Sequence, residues 1–234
     1  MIYISVIIPT VRDISLNEEC LARQTFGYYE VIVVRPEGKT PEGLFYTLNR
    51  DYNRALRQAK GSLIVSYQDM IEIKPDTLER FWTHYQLNKK ICVGALGDQY
   101  SSLNPPIKVW EDPRRNSKSG SFYECYPNDI EFTLCAIPRK AFFEVGGFDE
   151  EYDKGAAVGE KELMNRIDKA GYKSYLDQSI DYKAIKHDRL TKDWDRYYQI
   201  TSEMYSAHLQ DINRLKLDYL QMKDYTKSLT TNES

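Results

Sequence analysis

Residues 2–8 read IYISVII, a β-branched run that stops at Pro9-Thr10. The same signature returns in YEVIVV (29–34), in the run of Leu63, Ile64 and Val65 that leads into Ser66 and Tyr67, and at Ile91 to Leu96. Runs that are apolar without alternation predict strands buried on both faces. Between them the period changes to that of helices. Leu16 to Gln24 has helix-forming character, with Ser15 or Asn17 as possible caps. From Pro41 to Lys60, apolar or small residues recur at Leu44, Leu48, Tyr52, Ala55, Leu56 and Ala59, one helical face that Gly61 stops. A further helix is expected from about Asp76 to Asn88, started by Pro75-Asp76-Thr77. Strand and helix alternate with short connections. This predicts an α/β fold with a mainly parallel, Rossmann-like sheet and helices on both faces. Its ligand edge would lie at Thr10, Arg35 and Asp69, where the strands end.

The pattern then loosens. Gly97 to Asn128 is polar, with Pro105-Pro106, Pro113 and SKSGS, and reads as a long irregular segment of functional character. Phe132 to Ile137 predicts a strand and Arg139 to Val145 a short helix, followed by a turn at Gly146-Gly147-Phe148-Asp149. GEKELMNRIDKA (159–170) predicts an amphipathic helix with Leu163, Ile167 and Ala170 inside, ended by Gly171. Lys173 to Leu176 and Asp181 to Ile185 read as two short strands. From Asp193 to about Lys227 the spacing of Trp194, Tyr197, Ile200, Met204, Ala207, Ile212, Leu215, Tyr219 and Met222 predicts a long helix or helical hairpin. That stripe packs on the parent domain or serves self-association into a homo-oligomer. The expected organisation is one domain over residues 1–190, in halves 1–98 and 99–190, with a C-terminal helical extension over 191–234.

Composition narrows the function classes. A chain of 234 residues that is 41% hydrophobic and 13% aromatic builds one large core. Nineteen tyrosines against eight phenylalanines suit wet grooves and stacking on sugars or bases. A net charge of −3 does not mark a nucleic-acid binder, although Arg114, Arg115 and Lys118 form a local basic run. Cys20, Cys92, Cys125 and Cys135 have no metal-type spacing and read as reduced thiols of a cytoplasmic protein. The start, MIYISVIIPT, lacks the basic region and apolar length of a signal peptide, and no run is long enough to span a bilayer.

Five blocks in order carry a resemblance: ISVIIPT, QTFGYYEVIVV, NRALRQAKGSLIVSYQD, GGFDEEYDKG and GEKELMNRIDKAGYK. Together, over roughly residues 2–187, they resemble the family 2 glycosyltransferases, inverting enzymes of the GT-A fold encoded by bacteria and phages. The resemblance implies transfer of a sugar from a nucleotide-diphosphate sugar, a UDP-sugar being favoured, to an acceptor hydroxyl. Pro9 and Thr10 would line the nucleobase pocket. Arg35 stands where the family usually has a base-contacting acid. Asn53 matches an asparagine before the central strand, and a phosphate-neutralising role falls to Arg50, Arg54 or Arg12. The family's acidic cluster is reduced here to Gln68-Asp69-Met70. The divalent metal it implies, Mn²⁺ or Mg²⁺, would rest on Asp69 with Glu72 or with His187 of IKHDR. Glu160, aligned on Leu163 and Arg166, would be the general base that takes the acceptor proton. Asp149 resembles the family's acceptor-side acid. Trp110, Arg114 and Arg115 would offer a stacking ring and phosphate-seeking guanidiniums to the acceptor.

Two alternatives stay open. The acceptor is a surface glycan or a modified nucleobase in phage DNA, the latter placing the protein in a host cytoplasm. And the eroded acidic cluster fits a catalytically impaired fold that binds sugar or nucleotide as a module or subunit.

Overall fold

The structure is a computed structural model in which residues 1–37, 47–115, 120–186 and 193–211 are described. Lys118, His187, the expected helical start from Pro41 through Leu44 and the helix expected beyond residue 211 lie outside these residues.

Among the described residues nine strands form one sheet: β1 (Ile4–Pro9), β2 (Tyr29–Val34), β3 (Leu63–Tyr67), β4 (Ile71–Ile73), β5 (Ile91–Leu103), β6 (Pro106–Trp110), β7 (Phe122–Glu124), β8 (Leu134–Pro138) and β9 (Lys173–Ile185). The main path is β2-β1-β3-β8-β5-β9-β4. Pairing is parallel for β1 with β2 and β3, and for β5 with β9. Because β8 lies antiparallel between β3 and β5, the strands β1, β2, β3, β5 and β9 all run one way. The sheet is therefore mainly parallel in direction, as the periodicity predicts, with β8 inverted at its centre.

The six helices are α1 (Ser15–Ala22), α2 (Leu48–Gln58), α3 (Thr77–Leu87), α4 (Arg139–Val145), α5 (Gly159–Lys169) and α6 (Trp194–Gln210). Successive side chains of a strand point to opposite faces, and this divides the core. Ile4, Val6 and Ile8 of β1, with Leu63 and Val65 of β3, pack under Cys20 and Leu21 of α1 and Leu78 and Phe81 of α3. Ile7 and Ile64 face the other way, onto Tyr52 and Leu56 of α2, Phe142 of α4 and Leu163, Met164 and Ile167 of α5. Both sheet faces are covered, which is why these strands read as continuous apolar runs. Among the described residues no helix is long and apolar enough to cross a membrane.

Several local expectations are corrected. The segment from Gly97 is not irregular: β5 continues through it and turns at Asn104-Pro105, a cis peptide, into β6. The two short strands after α5 are one strand, β9, whose irregular stretch lies opposite Gly94 and Leu96. Asp76 does not cap α3. Its carboxylate accepts from Arg80 at 2.6 Å, and the N–H of Leu78 is bonded at 3.1 Å by Gln24 Oε1 from beyond α1. The capping side chain before α1 is Asp13, which accepts from the N–H of Ser15 at 3.0 Å. Gly61 does not end a helix in the left-handed region, since α2 stops at Ala59 in an extended conformation. It is small because a Cβ there would lie 2.5 Å from the backbone nitrogen of Ser5. Thr201 is the buried residue of α6; Trp194, Tyr197, Ile200 and Met204 of the expected stripe are half-buried, as are Tyr205 and His208, while Ala207 is exposed. Thr201 Oγ1 donates to the Ala156 carbonyl at 2.7 Å, and the Tyr152 hydroxyl meets His208 Nδ1 at 2.8 Å. This helix packs on the parent domain.

Candidate functional site

β1, β2 and β3 end at one edge, and so do the residues expected there. Pro9 closes β1, and the N–H of the buried Thr10 continues the ladder to the Val34 carbonyl at 3.0 Å. The Thr10 hydroxyl donates to Asp69 Oδ2 at 2.5 Å and accepts the N–H of Arg12 at 2.8 Å. The Arg12 guanidinium lies 3.3 Å from Asp69 Oδ1. Arg35 Nη1 donates to the Arg12 carbonyl at 2.9 Å, and Arg54 donates to the Arg35 carbonyl in turn. Arg54 also pairs with Glu37 and Asp51.

The loop bearing Asp69 is held by its backbone on three sides. Gln68 N–H donates to the Thr133 carbonyl at 3.0 Å, Asn17 Nδ2 to the Gln68 carbonyl at 2.9 Å, and Ile185 N–H to the Met70 carbonyl at 2.8 Å. Met70 is held at φ 62°, a left-handed conformation rare for such a side chain. A second strained turn stands before α5, where Ala157 and Val158 have φ 58° and 68°. Strain of this sort persists where the surroundings enforce it and gathers at functional sites.

Beside Asp69 opens a cleft of about 600 Å³, bounded by the Gln68–Ile71 loop, by Gln99 and Trp110 of the β5–β6 hairpin, and by Glu131 and Tyr182. Trp110 is 44% exposed and half-covers one wall. Glu131 was not singled out from the sequence. It directly precedes the run that becomes β8, and because β8 is antiparallel to β3 it starts at the edge where β3 ends. That direction is the signal that could have found it. The Glu131 side chain is 52% exposed, yet desolvation by the surrounding walls pushes its carboxyl above the usual range, against the pull of Arg114 at 3.2 Å.

Glu160 opens α5 and lines a separate, smaller pocket of about 30 Å³ with Asn49, Asp153 and Trp194. Burial raises its pKa; a hydrogen bond from its own N–H opposes this, and the nearby charge of Glu131 adds to it. Glu162, one turn side away, is committed elsewhere: it holds the buried Arg166 through contacts of 2.7 and 2.8 Å.

Other expected site residues serve as ties. Asn53 is buried and bonds the backbone of Phe148 reciprocally at 2.8 and 2.9 Å, fixing α2 to the GGFD turn. Asp149 is buried and accepts from Glu151 N–H at 3.0 Å, capping the 3₁₀ turn Glu150–Lys154. Neither is brought to Asp69 by these contacts. Arg114 is engaged bidentately by Asp112 at 2.9 and 2.5 Å, and Arg115 lies 3.3 Å from Asp98. The expected phosphate-seeking guanidiniums are thus tied to carboxylates of their own segment. Burial would raise Asp98 and Asp112, but backbone and guanidinium hydrogen bonds outweigh it and hold both below the usual range.

A hard divalent ion needs several oxygen ligands. Glu72 faces Lys183 across β4 and β9 at 3.6 Å, and among the described residues no group of three His, Cys, Asp or Glu could hold a metal. Both oxygens of Asp69 already meet donors. The described residues do not fit the expected ion.

No protein-family model matches the chain, and no curated protein is significantly similar to it. Among solved structures it is similar to S. aureus TarS 1-349 in complex with UDP, with a TM-score of 0.61 and 12% identity, over 98% of this chain and 71% of that one. At this identity the likeness shows the fold. The chain has a GT-A-like, glycosyltransferase-like α/β fold.

Proposed function

We propose that this chain transfers a sugar from a UDP-sugar to an acceptor hydroxyl with inversion. The observation that carries the reading is the Thr10–Asp69–Arg12 constellation at the strand edge of a GT-A-like fold, whose Asp69 lines a cleft of about 600 Å³. Ligands of open α/β sheets bind at that edge. The UDP in the similar structure supports a uridine diphosphate donor. Pro9 and Thr10 would border its base, and the guanidiniums of Arg12 and Arg35 its diphosphate.

In the transfer the acceptor oxygen attacks the anomeric carbon and forms the new glycosidic bond. Glu160 takes the acceptor's proton. The bond from the anomeric carbon to the diphosphate oxygen breaks, and UDP leaves with its electron pair. Burial raises the proton affinity of Glu160, the direction that strengthens a carboxylate as a base.

The cleft favours a neutral glycan over DNA as acceptor. An exposed indole beside carboxylate and amide groups matches the apolar face and hydroxyl rim of a sugar. A polyanion in the cleft would meet Glu131, while the basic pair Arg114 and Arg115 is spent on Asp112 and Asp98. The binding-module reading has one observation in its favour, the missing acid partners of Asp69. The two separate in a screen of nucleotide sugars by thermal shift, followed by donor hydrolysis and transfer assays on the tightest binder. Turnover that Glu160→Gln abolishes while binding persists supports the enzyme. Binding without turnover in the wild type supports the module, and no binding of any nucleotide sugar overturns both.

A further inference from the structure

We propose that Arg12 and Arg35 form a diphosphate-binding site that works without a divalent ion. The inference rests on the proposed function only for what the diphosphate belongs to. At the position where a cation would neutralise a diphosphate, Asp69 faces a guanidinium: Arg12 Nη1 lies 3.3 Å from Oδ1, and the Thr10 hydroxyl engages Oδ2 at 2.5 Å. A cation on that carboxylate would sit against a fixed positive charge. On the chain's next residue, Met70 offers a soft thioether instead of a hard oxygen.

The Arg12–Asp69 pair does something else well. Asp69 is largely buried and its loop is bonded on three sides, so it orients the planar fork of Arg12 at the sheet edge. An oriented guanidinium binds phosphate oxygens bidentately, which a point charge does not. Arg35 adds a second one. Its Nη1 bonds the Arg12 carbonyl at 2.9 Å, because β1 and β2 end in register at Pro9 and Val34. Arg35 is exposed and has no ion pair among the described residues. Arg12 faces Asp69, and the charge of Arg35 also reaches Asp13, whose carboxyl is held below the usual range by hydrogen bonds from Ser15 and, in smaller part, by Arg35.

The test is calorimetric titration of the full chain with inorganic pyrophosphate and with UDP, each in EDTA and in Mn²⁺. Both ligands are expected to bind in EDTA, with Mn²⁺ changing the affinity less than threefold. Arg12→Met and Arg35→Met should each weaken pyrophosphate and UDP by roughly ten- to a hundred-fold, the range of a lost charge-assisted hydrogen bond. Arg12→Lys should recover only part of this. Arg35 is exposed, so its variant stays informative if removal of Arg12 harms folding. Binding that requires Mn²⁺, binding indifferent to both arginines, or no binding of either ligand overturns the proposal. Arginine-dependent binding in EDTA without transfer from any nucleotide sugar would remove the enzyme reading and leave this site standing. Transfer that occurs only with Mn²⁺ would do the reverse.

Discussion

Arg166→Leu is expected to be among the most destabilising single changes in this protein. Arg166 is 1% exposed and Glu162 3% exposed. The guanidinium makes contacts of 2.7 and 2.8 Å to the Glu162 carboxylate and donates to the carbonyls of Val145 at 2.6 Å and Gly147 at 2.8 Å. Those carbonyls flank the turn where Gly146 and Gly147 take φ 82° and 79°, values that glycine alone adopts freely. One side chain therefore ties the last turn of α5 to the end of α4. Leucine preserves volume but strips a buried carboxylate of its guanidinium, which costs about 3–5 kcal/mol. For a domain of this size that lowers the melting temperature by roughly 6–20 °C. The assay is urea unfolding and thermal melting of Arg166→Leu, Glu162→Leu and the double variant. The double variant removes the stranded charge and should recover at least half of the loss, leaving the cost of the two unbonded carbonyls. Arg80→Leu is the control: its partner Asp76 is solvent-accessible, so it should cost under about 1 kcal/mol. If Arg166→Leu costs as little as Arg80→Leu, or the double variant is less stable than the single, the buried pair is not what joins α4 to α5.

Glu160→Gln should lower transfer by roughly 10²- to 10⁴-fold with donor affinity unchanged, and the acid limb of the wild-type rate profile should fall above the ordinary glutamate range, measured as kcat/KM against pH. Trp110→Ala should raise the acceptor KM several-fold and leave the donor KM alone; equal effects on both would remove the indole from the acceptor side. Gly61→Ala should cost about 1–3 kcal/mol in urea unfolding, because its methyl would meet the β1 backbone and not a movable side chain. The pH dependence of stability has a defined sign. Asp153 is 4% exposed, and burial raises it to about 6 even though it accepts the N–H groups of Asn49 and Arg50 at the start of α2. The folded state thus binds its proton more tightly than the unfolded state does. Stability should rise by up to about 3 kcal/mol as pH falls from above 6 towards 4, and Asp153→Asn should flatten that rise. Below that window, protonation of Asp98, Asp112 and Asp177, all held below the usual range, should reverse it. A monotonic loss of stability from pH 7.5 to 5 would contradict this assignment.

How much of the fold was legible follows from where each element gets its stability. β1, β2 and β3 are buried on both faces or lie beside strands that are, so their apolar runs announce them. The β5–β6 hairpin does not announce itself. Every residue of β6 is exposed, with Ile107, Val109 and Trp110 at 44–51%, so no half-buried alternation marks it. It is held by the ladder to β5, which an amino-acid pattern does not encode. The same holds for caps. Gln24 caps α3 and Asp153 caps α2 from far along the chain, while the local candidate Asp76 turns to Arg80 instead.

The site shows the same division between local and distant information. Thr10, Arg12, Arg35 and Asp69 were legible because each follows directly from a strand end, and parallel strands place their ends together. Glu131 was not, because an apolar run has no direction, and only the antiparallel setting of β8 brings its leading residue to the edge. Asn53 and Asp149 matched family positions, and here Asn53 joins α2 to the GGFD turn while Asp149 caps the 3₁₀ turn that follows, so a matched residue type does not by itself establish a chemical role. The two acids of GEKEL make the point within one helix. Glu162 is buried against Arg166 and its work is architectural. Glu160, two residues earlier, follows a strained turn and has its proton affinity raised by burial, with no arginine among its contacts. Glu162 is tied to a guanidinium, whereas Glu160 is half-buried with its proton affinity raised, and this contrast supports the proposed base at Glu160.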